Sequence, residues 1–151
     1  MFGSEIKAFL LMDSKIKNYF RGVFASDTLP VLLPQGQPHT IVVNLDHSQK
    51  EGSHWCAIFI SAYGVGIYFD PIGLPPFVHN IRHFLEKNCS SYQCNDMVIQ
   101  NILSYTCGLY CIYFLRKMIR GVSLREFQSY FKAINTHFND EMICRWYNQR
   151  L

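Results

Sequence analysis

One apolar run, opened by a Cys-Gly pair, limits what this chain can fold into more than any other feature. From Leu109 to Leu115 no side chain carries a charge, and Met118 and Ile119 continue the run past Arg116 and Lys117. A helix that is apolar on nearly every side belongs in the middle of a domain. The helix is expected to begin at about Thr106, which places Cys107 at its N-terminus. Unpaired N–H groups and the macrodipole there favour a negative sulfur. Cys107 is therefore a candidate nucleophile, with the polar Gln100 seven residues before it.

The rest of the chain supplies elements to pack around that helix. Residues 4–20 read as a helix with a serine cap and apolar positions at Ile6, Phe9, Leu10, Ile16 and Phe20. Residues 21–39 hold three prolines and two glycines, which predicts an irregular, extended crossing. Short strands are expected at 40–45, 54–61 and 66–70, the last two joined as a hairpin and all three pairing antiparallel. A helix over 77–88, a strand over 96–99, a helix over 123–131 opened by a Ser123/Glu126 capping box, and a last helix over 139–149 follow. No repeat or long linker divides residues 1–151. The order predicts a single α+β domain, a small mixed or antiparallel sheet packed against the central helix.

Aromatic residues are numerous (12 Phe, 9 Tyr, 2 Trp), which predicts a dense core with some aromatic surface left for binding. A net charge of +3 is too small to establish a nucleic-acid role by itself. No apolar run approaches the ~20 residues that span a bilayer. The N-terminus lacks the basic and apolar regions of a secretory signal. The six cysteines, Cys56, Cys89, Cys94, Cys107, Cys111 and Cys144, are expected as reduced thiols in an intracellular, reducing compartment. Only Cys89 and Cys94 are close with an irregular segment between them, and no second pair completes four ligands, so no metal site is expected.

Thiolate chemistry needs a histidine beside the sulfur, a group to orient the imidazole, and donors for an oxyanion. His79 and His83, four apart, fall on one partly exposed helix face. His39 lies in the proline-rich crossing, His47 in a polar loop and His137 before the last helix. His54 opens an apolar strand, where a sheet can hold a side chain rigidly at its end. Asp70 closes the strand that pairs with it, so antiparallel pairing brings the two to one sheet edge. There an acid can hold the imidazole tautomer and stabilise its cation. The Gln100 amide can join the Cys107 N–H as an oxyanion donor. Each residue has an ordinary reading alone: a core thiol, a loop histidine, a turn aspartate. Cys56, Cys111 and Cys144 are assigned to the core. The combination, each member at an element terminus, points to a thiol hydrolase.

His54-Trp55 on a strand, Phe69-Asp70-Pro71-Ile72-Gly73, and Gln100 seven residues before Cys107-Gly108 together resemble the adenovirus protease (adenain) pattern. The likeness runs from about residue 20 to 120. The segment from Phe20 to Pro30 further resembles adenain-like proteases of Maverick/Polinton transposons and related DNA viruses. The resemblance implies a cysteine endopeptidase of the group that also holds the proteases of ubiquitin-like modifiers. Catalytic roles then fall to Cys107 as nucleophile, His54 as its imidazole partner and Asp70 as the orienting acid, with Gln100 in the oxyanion hole. Expected substrates are capsid or core precursor proteins of the encoding element, cleaved near small Gly-containing sites after an aliphatic residue.

No cofactor is needed for such chemistry. An activating viral peptide and DNA are implied as candidate partners, and the host nucleus or cytoplasm and the virion as locations. The chain departs from adenain in carrying Asp70 where adenain has Glu, and in being shorter between Asn88 and Gln100 and at the C-terminus. That shortening leaves no assignment of Cys89 or Cys94 to a disulfide with a peptide. Arg116, Lys117, Arg120 and Arg125 form a modest basic cluster that reads either as a DNA contact or, with more support, as a solvated helix face. A deconjugating protease for ubiquitin-like modifiers, and an inactive protease fold serving as a structural or DNA-binding module, are the competing functions.

Overall fold

Five strands, β1 (Phe20–Phe24), β2 (His39–Asn44), β3 (Trp55–Ile60), β4 (Val65–Phe69) and β5 (Ser91–Cys94), form one sheet in that spatial order. The computed structural model describes residues Met1–Leu151. Strands β2, β3 and β4 pair antiparallel as expected, whereas the edge strands β1 and β5 pair parallel to their neighbours. Every residue of β2 is buried, because helices cover both faces of the sheet. On one face α2 (His79–Asn88) buries Ile81, Phe84 and Leu85 against Ile41, Ile58 and Tyr68. On the other, α1 (Gly3–Leu11), α3 (Cys107–Met118), α4 (Leu124–Ser129) and α5 (Thr136–Asn148) pack on Val42, Ala57 and Phe69. The architecture is α+β, with a mixed sheet.

The central helix is α3. Tyr110, Cys111, Ile112, Phe114 and Leu115 are fully enclosed, as its all-round apolar character requires. Phe114 stacks on Phe69 of β4 with ring centroids 4.5 Å apart, and Phe127 of α4 meets both rings edge-on. This aromatic wedge fixes α3 across the sheet and so sets where its first residue, Cys107, lies.

Several expected elements are redrawn. The helix predicted over 4–20 ends at Leu11, because the buried Asp13 carboxylate accepts the N–H groups of Lys15 (2.9 Å) and Ile16 (3.2 Å) and turns the chain. Ile16 is still buried, so the apolar spacing is real but serves a turn. The crossing predicted to be irregular contains β1, which finds an open edge on β2. No strand forms over 96–99; the fifth strand is 91–94, with Tyr92 and Cys94 its half-buried positions. Its approach requires Gly66, since a Cβ there would lie 2.5 Å from the Cys89 sulfur and 3.2 Å from the Tyr92 Cβ. The last helix starts earlier, at Thr136, where the Asn135 side chain accepts the Phe138 N–H (3.0 Å). The predicted 77–88 and 123–131 helices begin at His79 and Leu124, and Ser123 caps α4 by accepting the Glu126 N–H (3.1 Å).

The basic cluster has structural work. Arg116 and Arg120 both pair with Asp13, at 3.0 and 2.9 Å. Arg116 also lies over the Phe9 and Trp146 rings, and Lys117 over Tyr113. No helix is long and apolar enough to cross a membrane.

Candidate active site

The end of the sheet where β3 begins and β4 stops is the only place where the chemically distinctive residues of this chain meet. The pairing of Ala57 with Phe69 extends by one step to set Cys56 opposite Asp70, with His54 one diagonal further on. His54 precedes β3, which opens at Trp55. Its ring Nε2 lies 2.6 Å from Asp70 Oδ1. Cys107, the first residue of α3, lines the same cleft as His54, and sulfur and imidazole each favour the other's charged form.

Asp70 is fully buried, and its backbone is clamped on both sides by one residue that sequence reasoning missed. The Asn95 side chain accepts the Asp70 N–H at 2.9 Å and donates to the Asp70 carbonyl at 2.6 Å. A single asparagine following an edge strand carries no sequence signal for such a role. Asp70 Oδ1 also accepts the Ile72 N–H (2.9 Å), while Oδ2 is buried with no partner. An uncompensated carboxylate oxygen is costly in a protein interior. A neighbouring imidazolium offsets that cost. The turn after Asp70 carries the site's other half: the Pro71 carbonyl accepts the N–H groups of Ile99 (3.0 Å) and Gln100 (3.1 Å). Gly73 permits this packing with φ of 80°, and a Cβ there would sit 3.1 Å from the backbone of Met97.

Gln100 is buried, and its side-chain nitrogen donates one hydrogen to the Ser104 carbonyl at 3.0 Å. The second amide hydrogen is left for another acceptor. A cleft of about 460 Å³ is lined by His54, Gln100 and Cys107 together with Trp55, Ile102 and Tyr105. Ile102, Leu103 and Tyr105 are more than two-thirds exposed, leaving an apolar rim next to the sulfur. The other histidines lie elsewhere, His47 in an exposed loop where its Nδ1 accepts the Gln49 N–H (3.3 Å). His79 and His83 stack on exposed α2, His39 is bonded between Arg21 and Pro34, and His137 pairs with Glu141 within α5.

The electrostatics separate the six thiols, all of them free. Burial pushes Cys56 and Cys89 up to about 11 and raises Cys94, Cys111 and Cys144 as well. At Cys107 burial acts in the same sense, but bonds from His54 and from the N–H groups of Trp55 and Gly108 outweigh it and bring the thiol below its ordinary range. Burial likewise opposes charge on His54, and bonds with Asp70, Cys107 and Cys56 overcome it, raising the imidazolium to about 12. Cys56, assigned to the core from sequence, thus also lies near the ring, its sulfur within 4.8 Å of an imidazole nitrogen, but as a protonated thiol that accepts the Tyr68 hydroxyl (3.2 Å). Only Cys107 is activated.

No protein-family model matches the chain. In sequence it is similar to the protease of Ovine adenovirus D serotype 7, 23% identical over 126 residues, and to the protease of Bovine adenovirus 4, 27% identical over 126 residues. Each match takes in 74% of this chain, which spans 62% of the length of these curated relatives. In fold it is similar to ChlaDub1 from Chlamydia trachomatis, with a TM-score of 0.52 over 74% of this chain and 58% of that one, at 15% identity. The adenain-like character read from the motifs is therefore matched by sequence similarity along most of the chain.

Proposed function

We propose that this adenain-like chain is a cysteine endopeptidase in which Cys107, His54 and Asp70 carry out acyl transfer and Gln100 helps to bind the oxyanion. One observation carries the reading: of six thiols, only Cys107 is shifted toward the thiolate, beside an imidazole held at 2.6 Å by a buried carboxylate. With Nε2 engaged by Asp70, Nδ1 is the ring nitrogen left to exchange a proton with the sulfur. The thiolate attacks the scissile carbonyl, and the imidazolium gives its proton to the departing amine. Water then releases the acyl group, with His54 as base. In this reading the N–H of Cys107, first in α3 and without an intrahelical acceptor, and the second hydrogen of the Gln100 amide are the donors for the oxyanion.

The substrates in this reading are structural precursor proteins of a viral or transposon genome, cleaved at short Gly-containing sequences. The cleft and the exposed apolar side chains Ile102 and Tyr105 on it suit an extended peptide that carries an aliphatic residue near a small one. Short Gly-containing peptides and Gly-Gly-terminated fusions of ubiquitin-like modifiers, offered side by side, test it. Peptide cleavage is expected. Efficient modifier release with the peptides spared would assign the chain to deconjugation instead. Gln100→Ala is expected to lower kcat about 10–1000-fold with a smaller effect on KM, as loss of an oxyanion donor does; an unchanged kcat removes Gln100 from the reaction.

A further inference from the structure

The loop from Ile99 to Thr106 carries Gln100 and delivers Cys107, yet it has no strand or helix of its own. Its conformation is held by two adjacent residues of α5. The buried Asn139 side chain donates to the Ile99 carbonyl (3.0 Å) and to the Lys132 carbonyl (2.8 Å), and accepts the Lys132 N–H (2.9 Å). Beside it, Asp140 Oδ1 accepts the Tyr110 hydroxyl (2.8 Å), the Thr106 hydroxyl (3.2 Å) and the Asn101 N–H (3.4 Å). Tyr110 also donates toward the Ile99 carbonyl (3.3 Å). One carboxylate oxygen therefore ties both ends of the loop to α3 and α5. Inside the loop, the Ser104 hydroxyl reaches Thr106 (2.9 Å) and Asn101 (2.9 Å), and the Ser104 carbonyl takes the Gln100 amide (3.0 Å).

Thr106 shows what this arrangement does. A threonine at a helix N-cap ordinarily turns its oxygen onto the N–H of the second or third residue. Thr106 occupies the N-cap of α3 and makes no such bond. Its hydroxyl is drawn to Asp140 and Ser104 instead; the Leu109 N–H takes the Thr106 carbonyl (3.0 Å), and the Cys107 N–H, first in α3, is left without an acceptor. An N-terminus left open in this way can receive a negative oxygen.

We propose that Asp140 is a positioning residue for the oxyanion hole: by holding Thr106 off its own helix and fixing the 99–106 loop, it aims the Gln100 amide and the Cys107 N–H at one point. The proposal rests on the endopeptidase reading and deepens it. Asp140 touches neither the sulfur nor His54, so its effect falls on oxyanion binding and leaves the thiolate alone.

Three measurements on wild type, Asp140→Ala and Asp140→Asn test this. Peptide kcat is expected to fall about 10–100-fold in Asp140→Ala with KM nearly unchanged, the scale of a small misplacement of catalytic groups. Asp140→Asn, which keeps an acceptor oxygen, should lose less. Affinity for a peptide aldehyde, whose thiol adduct places an oxyanion in the hole, should fall by the same factor as kcat. The rate of Cys107 alkylation by iodoacetamide, which forms no oxyanion, should stay within about twofold, since the ion pair is untouched. An unchanged kcat in folded Asp140→Ala, or alkylation falling in step with kcat, overturns the proposal. If Asp140→Ala does not fold, Tyr110→Phe and Thr106→Val each remove one tie and are held to the same outcomes. A wild type that neither cleaves peptides nor binds the aldehyde overturns the endopeptidase reading and this one with it. An active wild type with an equally active Asp140→Ala overturns this one alone.

Discussion

Replacing Cys107 with Ala is expected to abolish peptide turnover, a loss on the order of 10⁵–10⁶-fold, while the protein remains folded. The magnitude follows from removing the nucleophile of a set that works as a unit. The fold should survive because alanine is the best helix former, and the sulfur lies at the cleft rather than in the aromatic wedge of Phe69, Phe114 and Phe127. Labelling by a thiol-directed electrophile is the matching observation. Wild type should take up the label at Cys107 first, because Cys56 and Cys111 are enclosed and the other five thiols are all shifted toward the protonated form. In Cys107→Ala that rapid phase should vanish. A label that persists undiminished in Cys107→Ala would place the reactive sulfur elsewhere and end the proposed mechanism.

Asp70→Asn is expected to cost about 10²–10⁴-fold in kcat/KM near neutral pH, the range over which losing the charge behind an imidazole acts. Asparagine keeps an oxygen for the Ile72 N–H, and the Asn95 clamp uses only backbone atoms of residue 70, so the geometry should persist. What is lost is the charge. The sign of the pH effect follows from the two shifts. His54 is raised to about 12, so its cation persists far into alkali, and Cys107 is lowered, so its thiolate appears below the usual thiol range. The reactive ion pair in wild type therefore spans a wide interval, with its acid limb set by Cys107 and its alkaline limb by His54. Without the carboxylate the imidazolium weakens and the alkaline limb moves down. The thiolate then loses cationic support and the acid limb moves up. A narrower bell is expected in kcat/KM against pH. A profile of unchanged width would mean that Asp70 does not set the imidazole's charge.

How far the site could be read from residues alone depended on the range of the interactions involved. Cys107, with its apolar run, is a local signal, because a helix buried all round shows itself in consecutive residues. His54 and Asp70 needed only the inference of a hairpin, whose turn brings together two residues sixteen positions apart. The edge strands were beyond such reasoning. Segment 21–24 reads as irregular until β2 offers it unpaired backbone groups, and the segment between Cys89 and Cys94 reads as irregular until Gly66 lets it approach β4. The helix drawn through residue 20 failed for a related reason. Asp13 is held in place by Arg116 and Arg120, more than a hundred residues away, and there it satisfies the N–H groups of a turn.

The amino-acid sequence by itself determined the central helix, the hairpin and the residue types capable of thiol chemistry, because each rests on short-range periodicity or on one turn. Tertiary structure alone decided what sets the Cys107 thiol apart from the other five. Six cysteines share one intrinsic chemistry, and what separates Cys107 is where three distant segments end. The His54 imidazole and the N–H groups of Trp55 and Gly108 favour its charged form, and Asn139 and Asp140 of α5 hold the loop that presents it. A lone sulfur in an apolar run has every reason to stay protonated. Only the convergence of charge and hydrogen-bond donors from other elements overcomes the burial that would keep it so.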